Sequence, residues 1–253
     1  IVACLVGSEM CIRDSPFNTF ATPSSLTKEA SLKQMNPKML TSFVDGTKTM
    51  VEMAALANFL GFNIDIDGMH GIEATYENIN QFYIPKKDGG LLDESQVVDF
   101  AFGIAPGVFA VIYSEDDYVN YEMEYLKMGK GPYWTLARPY HLTSLEIPRT
   151  IRHIMLEKYS KLSAQSWNVE VVAHAKQDIE PGTNLGSIGG DYIYGKAQKT
   201  SSSKGLLPIG IAEDNVVTKA IAKGNPIAID EVDAQDNELC EYWDYQNQIL
   251  DSD

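Results

Sequence analysis

Apolar residues recur along this chain in short blocks rather than long runs, and the period of the blocks changes partway. Thr27 to Gln34 reads as a short helix, and Met39 to Val44, a compact and mostly apolar run, reads as a strand. Asp45-Gly46-Thr47 then supplies a turn and a helix cap. The helix predicted from Lys48 to Leu60 is stopped by Gly61. It is apolar nearly all round (Met50, Val51, Met53, Ala54, Leu56, Phe59), so it is expected to be buried. Further on, Thr75–Phe82 and Asp116–Lys127 have helical character, and Lys86 to Gly90 is a surface turn. Val108–Tyr113 and Tyr133–Leu136 read as strands, the second interrupted by Arg138-Pro139-Tyr140-His141. Ser144 to Leu162 is expected to be mostly helical, with Pro148 tolerated near its first turn.

The character changes at Trp167. Val169–Ala175 is a strand, glycines become dense, and short strands are predicted at Tyr192–Tyr194, Ile209–Ile211 and Val216–Lys219. No long helix returns until the tail near Glu238. This pattern predicts an α/β (α+β) domain over 16–166, a β-rich domain over 167–233 and a tail over 234–253, with no internal repeat.

Composition sharpens the picture. With 253 residues, 44% of them hydrophobic and 22% charged, the chain can bury one large core or two modest ones. A net charge of −15 repels nucleic acid and anionic membrane alike, so neither is an expected partner. Nine of the acids fall between Asp230 and Asp253, where there is no Lys or Arg, which makes the tail a solvated acidic segment. No apolar run approaches the ~20 residues of a membrane span. The three cysteines, Cys4, Cys11 and Cys240, form no Cys-x-x-Cys pair, and the histidines, His70, His141, His153 and His174, have no metal-ligand spacing. No metal site is expected, and a reducing, cytoplasmic setting is.

Residues 1–15 stand apart. The chain opens on Ile1, and Ser8-Glu9-Met10-Cys11-Ile12-Arg13-Asp14 resembles the translation of sequencing-adapter DNA at the edge of an assembled read. Native sequence is expected to begin near Pro16.

Three stretches carry a family resemblance: Leu40 to Lys48 with Glu52 behind it, Gly131 to Leu142, and 167–233 with Ala175-Lys176-Gln177-Asp178-Ile179-Glu180-Pro181-Gly182 and Leu207-Pro208-Ile209-Gly210-Ile211-Ala212. Together they resemble the homoserine-dehydrogenase-like oxidoreductases that end in a SAF domain, a small β-clip module. One branch is similar to the second type of 1-deoxy-D-xylulose 5-phosphate reductoisomerase. The resemblance implies a substrate and dimerisation domain followed by SAF, a homo-oligomer, and NADP or NAD as cofactor of the parent enzyme. Its substrate would be a small hydroxy or keto compound, either a sugar phosphate or homoserine-like. The nucleotide-binding fingerprint Gly-x-Gly-x-x-Gly is absent from this sequence, so no cofactor-binding residue is assigned and the chain is expected to be a fragment, inactive alone.

The chemistry this resemblance asks for is hydride transfer at a carbonyl carbon, where a cation must meet the developing oxyanion. Lys48, Asp45 and Glu52 are the catalytic candidates; Lys48 and Glu52 are four apart on one helix face, and Asp45 caps its start. On residues alone, a cap with a structural ion pair is the competing reading. Thr47, Arg138, Tyr140 and His141 are the substrate-binding candidates: Arg138 for a phosphate, Tyr140 and His141 as hydrogen-bond donors or proton carriers. Lys127 is a second phosphate candidate and His70 a weaker one for function. Two other classes fit the same sequence: a SAF-containing module that binds a sugar acid, and a dehydratase-type lyase.

Overall fold

A computed structural model describes residues 3–4, 17–104, 107–140, 143–158, 163–233 and 238–250. In chain order the strands are β1 (Ala3–Cys4), β2 (Ile72–Glu73), β3 (Val97–Val98), β4 (Ala101–Phe102), β5 (Val108–Tyr113), β6 (Tyr133–Arg138), β7 (Val169–Ala175), β8 (Ile193–Lys199), β9 (Val216–Val217) and β10 (Val232–Asp233). The helices are α1 (Pro23–Leu32), α2 (Pro37–Val44), α3 (Thr47–Leu60), α4 (Ile79–Phe82), α5 (Asp117–Tyr125), α6 (Thr143–Arg152) and α7 (Glu238–Leu250). The fold is mixed α/β with small sheets.

The chain forms two compact units that are discontinuous in sequence, and the division falls inside α3, after Met50. Unit one takes the described parts of Val51–Val169 with β1 and Ala197–Ser201. Its main sheet has the order β3-β1-β5-β6. β5 and β6 are antiparallel from Val108 opposite Arg138 to Tyr113 opposite Tyr133. Alternation along β5 buries Phe109 and Val111, which join Ile79, Tyr83, Leu92 and Val97 in one apolar cluster.

Unit two takes the described parts of 15–50 and 202–253 with Glu170–Lys196. The paired strands β7 and β8 supply its centre, where Val172, Ala173, Ala175 and Ile193 are fully buried. Around them the chain makes single antiparallel bridges, Val172 to Pro208, His174 to Pro226 and Ile179 to Ile221, rather than long ladders. Short strands at glycine-rich turns give this pattern.

Several sequence expectations need correcting. The run Met39–Val44 lies within a helix, not a strand. Asn36 caps it, accepting the N–H groups of Lys38 and Met39, and Pro37 occupies its first turn. Thr22-Pro23 starts α1 in the same way. Apolar pattern alone missed both signals. Helix α3 buries Met50, Met53, Ala54 and Ala57 but exposes Lys48 and Val51, so it is buried on one face and not all round. Ile209–Ile211 is a 3₁₀ turn after Pro208, not a strand. Pro148 lies inside α6, which starts at Thr143, and His153–Glu157 continue it as a π-helical turn. Among the described residues, no helix is long and apolar enough to cross a membrane.

Candidate active site

The corner between α2 and α3 is built in unit two. Asp45 follows the last turn of α2, Gly46 takes φ +84°, and α3 begins at Thr47. A side chain at Gly46 would meet the Phe17 ring, so both conformation and space favour glycine there. Asp45 Oδ1 accepts the Thr47 N–H at 2.8 Å, which caps the new helix. Its Oδ2 lies 2.8 Å from Nζ of Lys176, at the end of β7. Lys176 Nζ also donates to the Gly190 carbonyl at 2.8 Å. Both side chains are sealed, with 0% of Asp45 and 1% of Lys176 exposed. Burial pulls the Lys176 ammonium below its ordinary pKa, and the Asp45 charge and hydrogen bond oppose that pull. Thr47 is fully buried too, and its Oγ1 accepts the Gly195 N–H at 2.8 Å.

Lys48 is the one charged residue of the first turn of α3, and it is exposed. Its Nζ sits 4.0 Å from the centroid of the Phe43 ring. A buried, hydrogen-bonded corner thus carries an accessible ammonium. Glu52, one turn later and half-buried, belongs to unit one.

Unit one holds the other sequence candidates. Arg138, at the end of β6, pairs with Glu146 at 2.5 Å, and its guanidinium lies 5.0 Å from the Tyr140 ring centroid. The structure therefore brings Arg138 and Tyr140 together. His141 lies outside the described residues. A cleft of about 550 Å³ opens elsewhere in this unit, lined by Tyr76, Asn80, Asp88, Lys130, Tyr133 and Thr135 among others.

A second buried cluster surrounds Asp99. Its carboxylate accepts the N–H groups of His70, Gly71 and Phe100 and the Tyr83 hydroxyl, at 2.8 to 3.1 Å. His70 Nδ1 lies 2.7 Å from Asp99 Oδ2, and its Nε2 lies 3.6 Å from Oδ2 of the buried Asp65. The Asp99 hydrogen bond raises the His70 pKa, burial lowers it by less, and the charges of Asp99 and Asp65 add to the rise. Burial, and next Asp99, push the Tyr83 phenol up. His70 was a weaker candidate from sequence, but neither Lys176 nor Asp99 was named as a site residue. Signals for them existed: Lys176 directly follows a seven-residue strand that is almost wholly buried, and Asp99 interrupts the apolar run Val97 to Ile104. An acid or base in such a run needs a partner. Among the described residues, no group of three or more His, Cys, Asp or Glu is placed to hold a metal ion.

Residues 5–147 match the family model of the catalytic domain of oxidoreductase DRL. The match spans more than half of the chain, and it takes in the α2–α3 corner, the Asp99 cluster and β6. The class is thus an oxidoreductase catalytic domain. The chain belongs to the oxidoreductase DRL catalytic-domain family. No curated protein matches it.

Proposed function

We propose that this chain is the substrate-side part of an NAD(P)-dependent oxidoreductase that acts on a small hydroxy or keto compound, with Lys48 meeting the oxyanion. The observation that carries the reading is the exposed Lys48 on a corner fixed by Asp45, Gly46 and Thr47. Reduction of a carbonyl places negative charge on oxygen. A preorganised ammonium stabilises that charge without having to be reoriented during the reaction. Asp45 and Thr47 hold the corner. Within unit one, Arg138 beside Tyr140 is a separate candidate for an anion such as a phosphate, which would have to compete with its Glu146 partner. The reading includes a SAF module over 167–233, for which the short strands and the turn at Glu180-Pro181-Gly182-Thr183, whose glycine takes φ +87°, speak; the homoserine-dehydrogenase-like part rests on the motif resemblance alone.

A nicotinamide nucleotide supplies the hydride in this chemistry. The residues of this chain do not fit its pyrophosphate, because no glycine-rich strand-to-helix turn is present in the sequence. None is assigned to it. The test is steady-state kinetics of the complete gene product with NADPH and NADH against a panel of hydroxy and keto substrates. In that enzyme Lys48→Met is expected to lower kcat by ~10²–10³ with little change in cofactor affinity. Full turnover in the variant would end the assignment to Lys48.

A further inference from the structure

The cleft of unit one is built on the motif Gly131-Pro132-Tyr133-Trp134, which the reaction proposed above leaves unused. Trp134 is sealed, and its Nε1 donates to Asn120 Oδ1 at 2.9 Å. Gly131 lies against that indole: a Cβ there would come to 2.7 Å from the ring. The Pro132 carbonyl accepts the Ser114 N–H at 3.1 Å. These contacts pin the loop that carries Lys130, and with it one wall of the cleft. Tyr133 begins β6 opposite Tyr113, with ring centroids 5.1 Å apart. From there its hydroxyl donates to Asp88 Oδ2 at 2.6 Å, and its backbone carbonyl accepts the Asn80 side-chain amide at 2.8 Å. Stretches far apart in sequence thus fix one cavity of about 550 Å³, the size of a small-molecule site.

The polar groups left over describe the ligand. Asp88 and Asn80 are held by these bonds, and each keeps its Oδ1 as an acceptor. The Tyr133 phenol, pushed up to about 12 chiefly by burial and then by Asp88, keeps its proton, and so its bond to Asp88, at ordinary pH. Lys130 is exposed on the pinned loop, supplies donors, and has no ion-pair partner among the described residues. Glu77 also lines the cleft, and hydrogen bonding to Thr75 holds its pKa below the ordinary value, so it stays ionised. An anion entering here meets the charges of Asp88 and Glu77, and a cation meets that of Lys130. A hydroxyl group both gives and accepts hydrogen bonds, so it suits a wall that offers acceptors and donors side by side. Ile84, Met128 and the Tyr76 ring supply apolar surface for a carbon skeleton. We propose that this cleft binds a neutral polyhydroxylated compound, a sugar or a sugar alcohol. Asp88 and Asn80 accept from its hydroxyl groups, and Lys130 donates to one of its oxygens. The inference does not rest on the reaction proposed above.

The test is titration calorimetry of the full chain. The neutral probes are D-glucose, D-xylose and D-sorbitol; the charged ones are glucose 6-phosphate, gluconate, glucosamine and the zwitterion L-serine. At least one neutral probe is expected to saturate with a millimolar or lower Kd, and to bind more tightly than every charged probe. Asp88→Asn, Lys130→Met and Tyr133→Phe should each weaken that binding about three- to tenfold, the worth of one hydrogen bond, while circular dichroism stays unchanged. Asp88 and Lys130 are exposed, so their variants carry the result even if Tyr133→Phe disturbs the fold. Arg149→Gln, at an exposed position on α6, should leave binding as it is. A chain that no neutral probe saturates overturns the proposal. So does a charged probe that binds as tightly as the best neutral one, or saturable binding that Asp88→Asn and Lys130→Met both leave intact.

Discussion

Each compact unit buries a carboxylate beside a basic side chain distant in sequence, and the two solve the cost of that burial in opposite ways. In unit one Asp99 accepts three backbone N–H groups, that of His70 among them, and a tyrosine hydroxyl before the His70 imidazole is counted. In unit two Asp45 accepts one backbone N–H and relies on Lys176 for the rest. The first carboxylate would stay solvated by the fold if its histidine were neutral. The second has little besides its counter-ion. An ionised group out of water is tolerated only when charge and hydrogen bonds around it replace the lost hydration. Asp99 draws chiefly on hydrogen bonds, and Asp45 chiefly on charge.

That contrast is broken most severely at Lys176. Lys176→Met removes the partner and leaves the Asp45 carboxyl group sealed without its counter-ion, which should cost about 3–5 kcal/mol. Denaturant unfolding should show the loss, and the double variant Asp45→Asn with Lys176→Met should recover a large part of it. A single variant as stable as wild type would mean that Asp45 is not held by charge. At the other site, Asp99→Asn keeps shape but turns an acceptor into a donor facing N–H groups, at a cost of about 1.5–3 kcal/mol by the same measurement.

The next effect is one of pH. The pKa of His70 is raised in the folded chain above its ordinary 6.5, the hydrogen bond to Asp99 being the largest cause. The groups that face the ring are Asp99 and Asp65, with Tyr83 against its edge and Lys86 opposing the rise. The folded state therefore binds the proton more tightly than the unfolded chain. The resulting stability is fully present below pH 6.5 and is lost as pH rises through the folded pKa. Melting temperature should fall across that window in the wild type, and His70→Gln should flatten this step. If the slope persists in the variant, another group is titrating.

How much of this was legible in the sequence follows from range. Strand β5 and helix α5 were readable because their apolar alternation and periodicity are local. The α2–α3 corner was readable in part: Asp45-Gly46-Thr47 is a turn and cap by residue type alone, and the structure shows that cap. Helix α2 was misread because six apolar-rich residues fit either period, and Asn36-Pro37, which decides the matter, lies just before them. The partners of the buried acids were not readable at all. Asp45 and Lys176 are separated by most of a domain's length of chain, and so is the pairing of Thr47 with Gly195. A single sequence says that a buried charge needs a partner without saying which one.

The smallest expected effect on stability sharpens the comparison most. Lys48 and Lys176 are both lysines at the same corner: one exposed over the Phe43 ring, the other sealed against Asp45. Lys48→Met exchanges an exposed ammonium for a thioether that still covers Phe43. It forfeits a cation–π contact of about 0.5–1 kcal/mol, and new apolar contact with the ring offsets part of that. The melting temperature should therefore shift by no more than a degree or two, against a large fall for Lys176→Met. On the role proposed for Lys48 the order should invert for turnover per folded molecule, since Lys48→Met would remove the oxyanion's cation while leaving the corner intact. If Lys48→Met instead lowers the melting temperature as Lys176→Met does and spares turnover, the ammonium at the head of α3 is structural, and Arg138 beside Tyr140 becomes the cation to test for substrate binding.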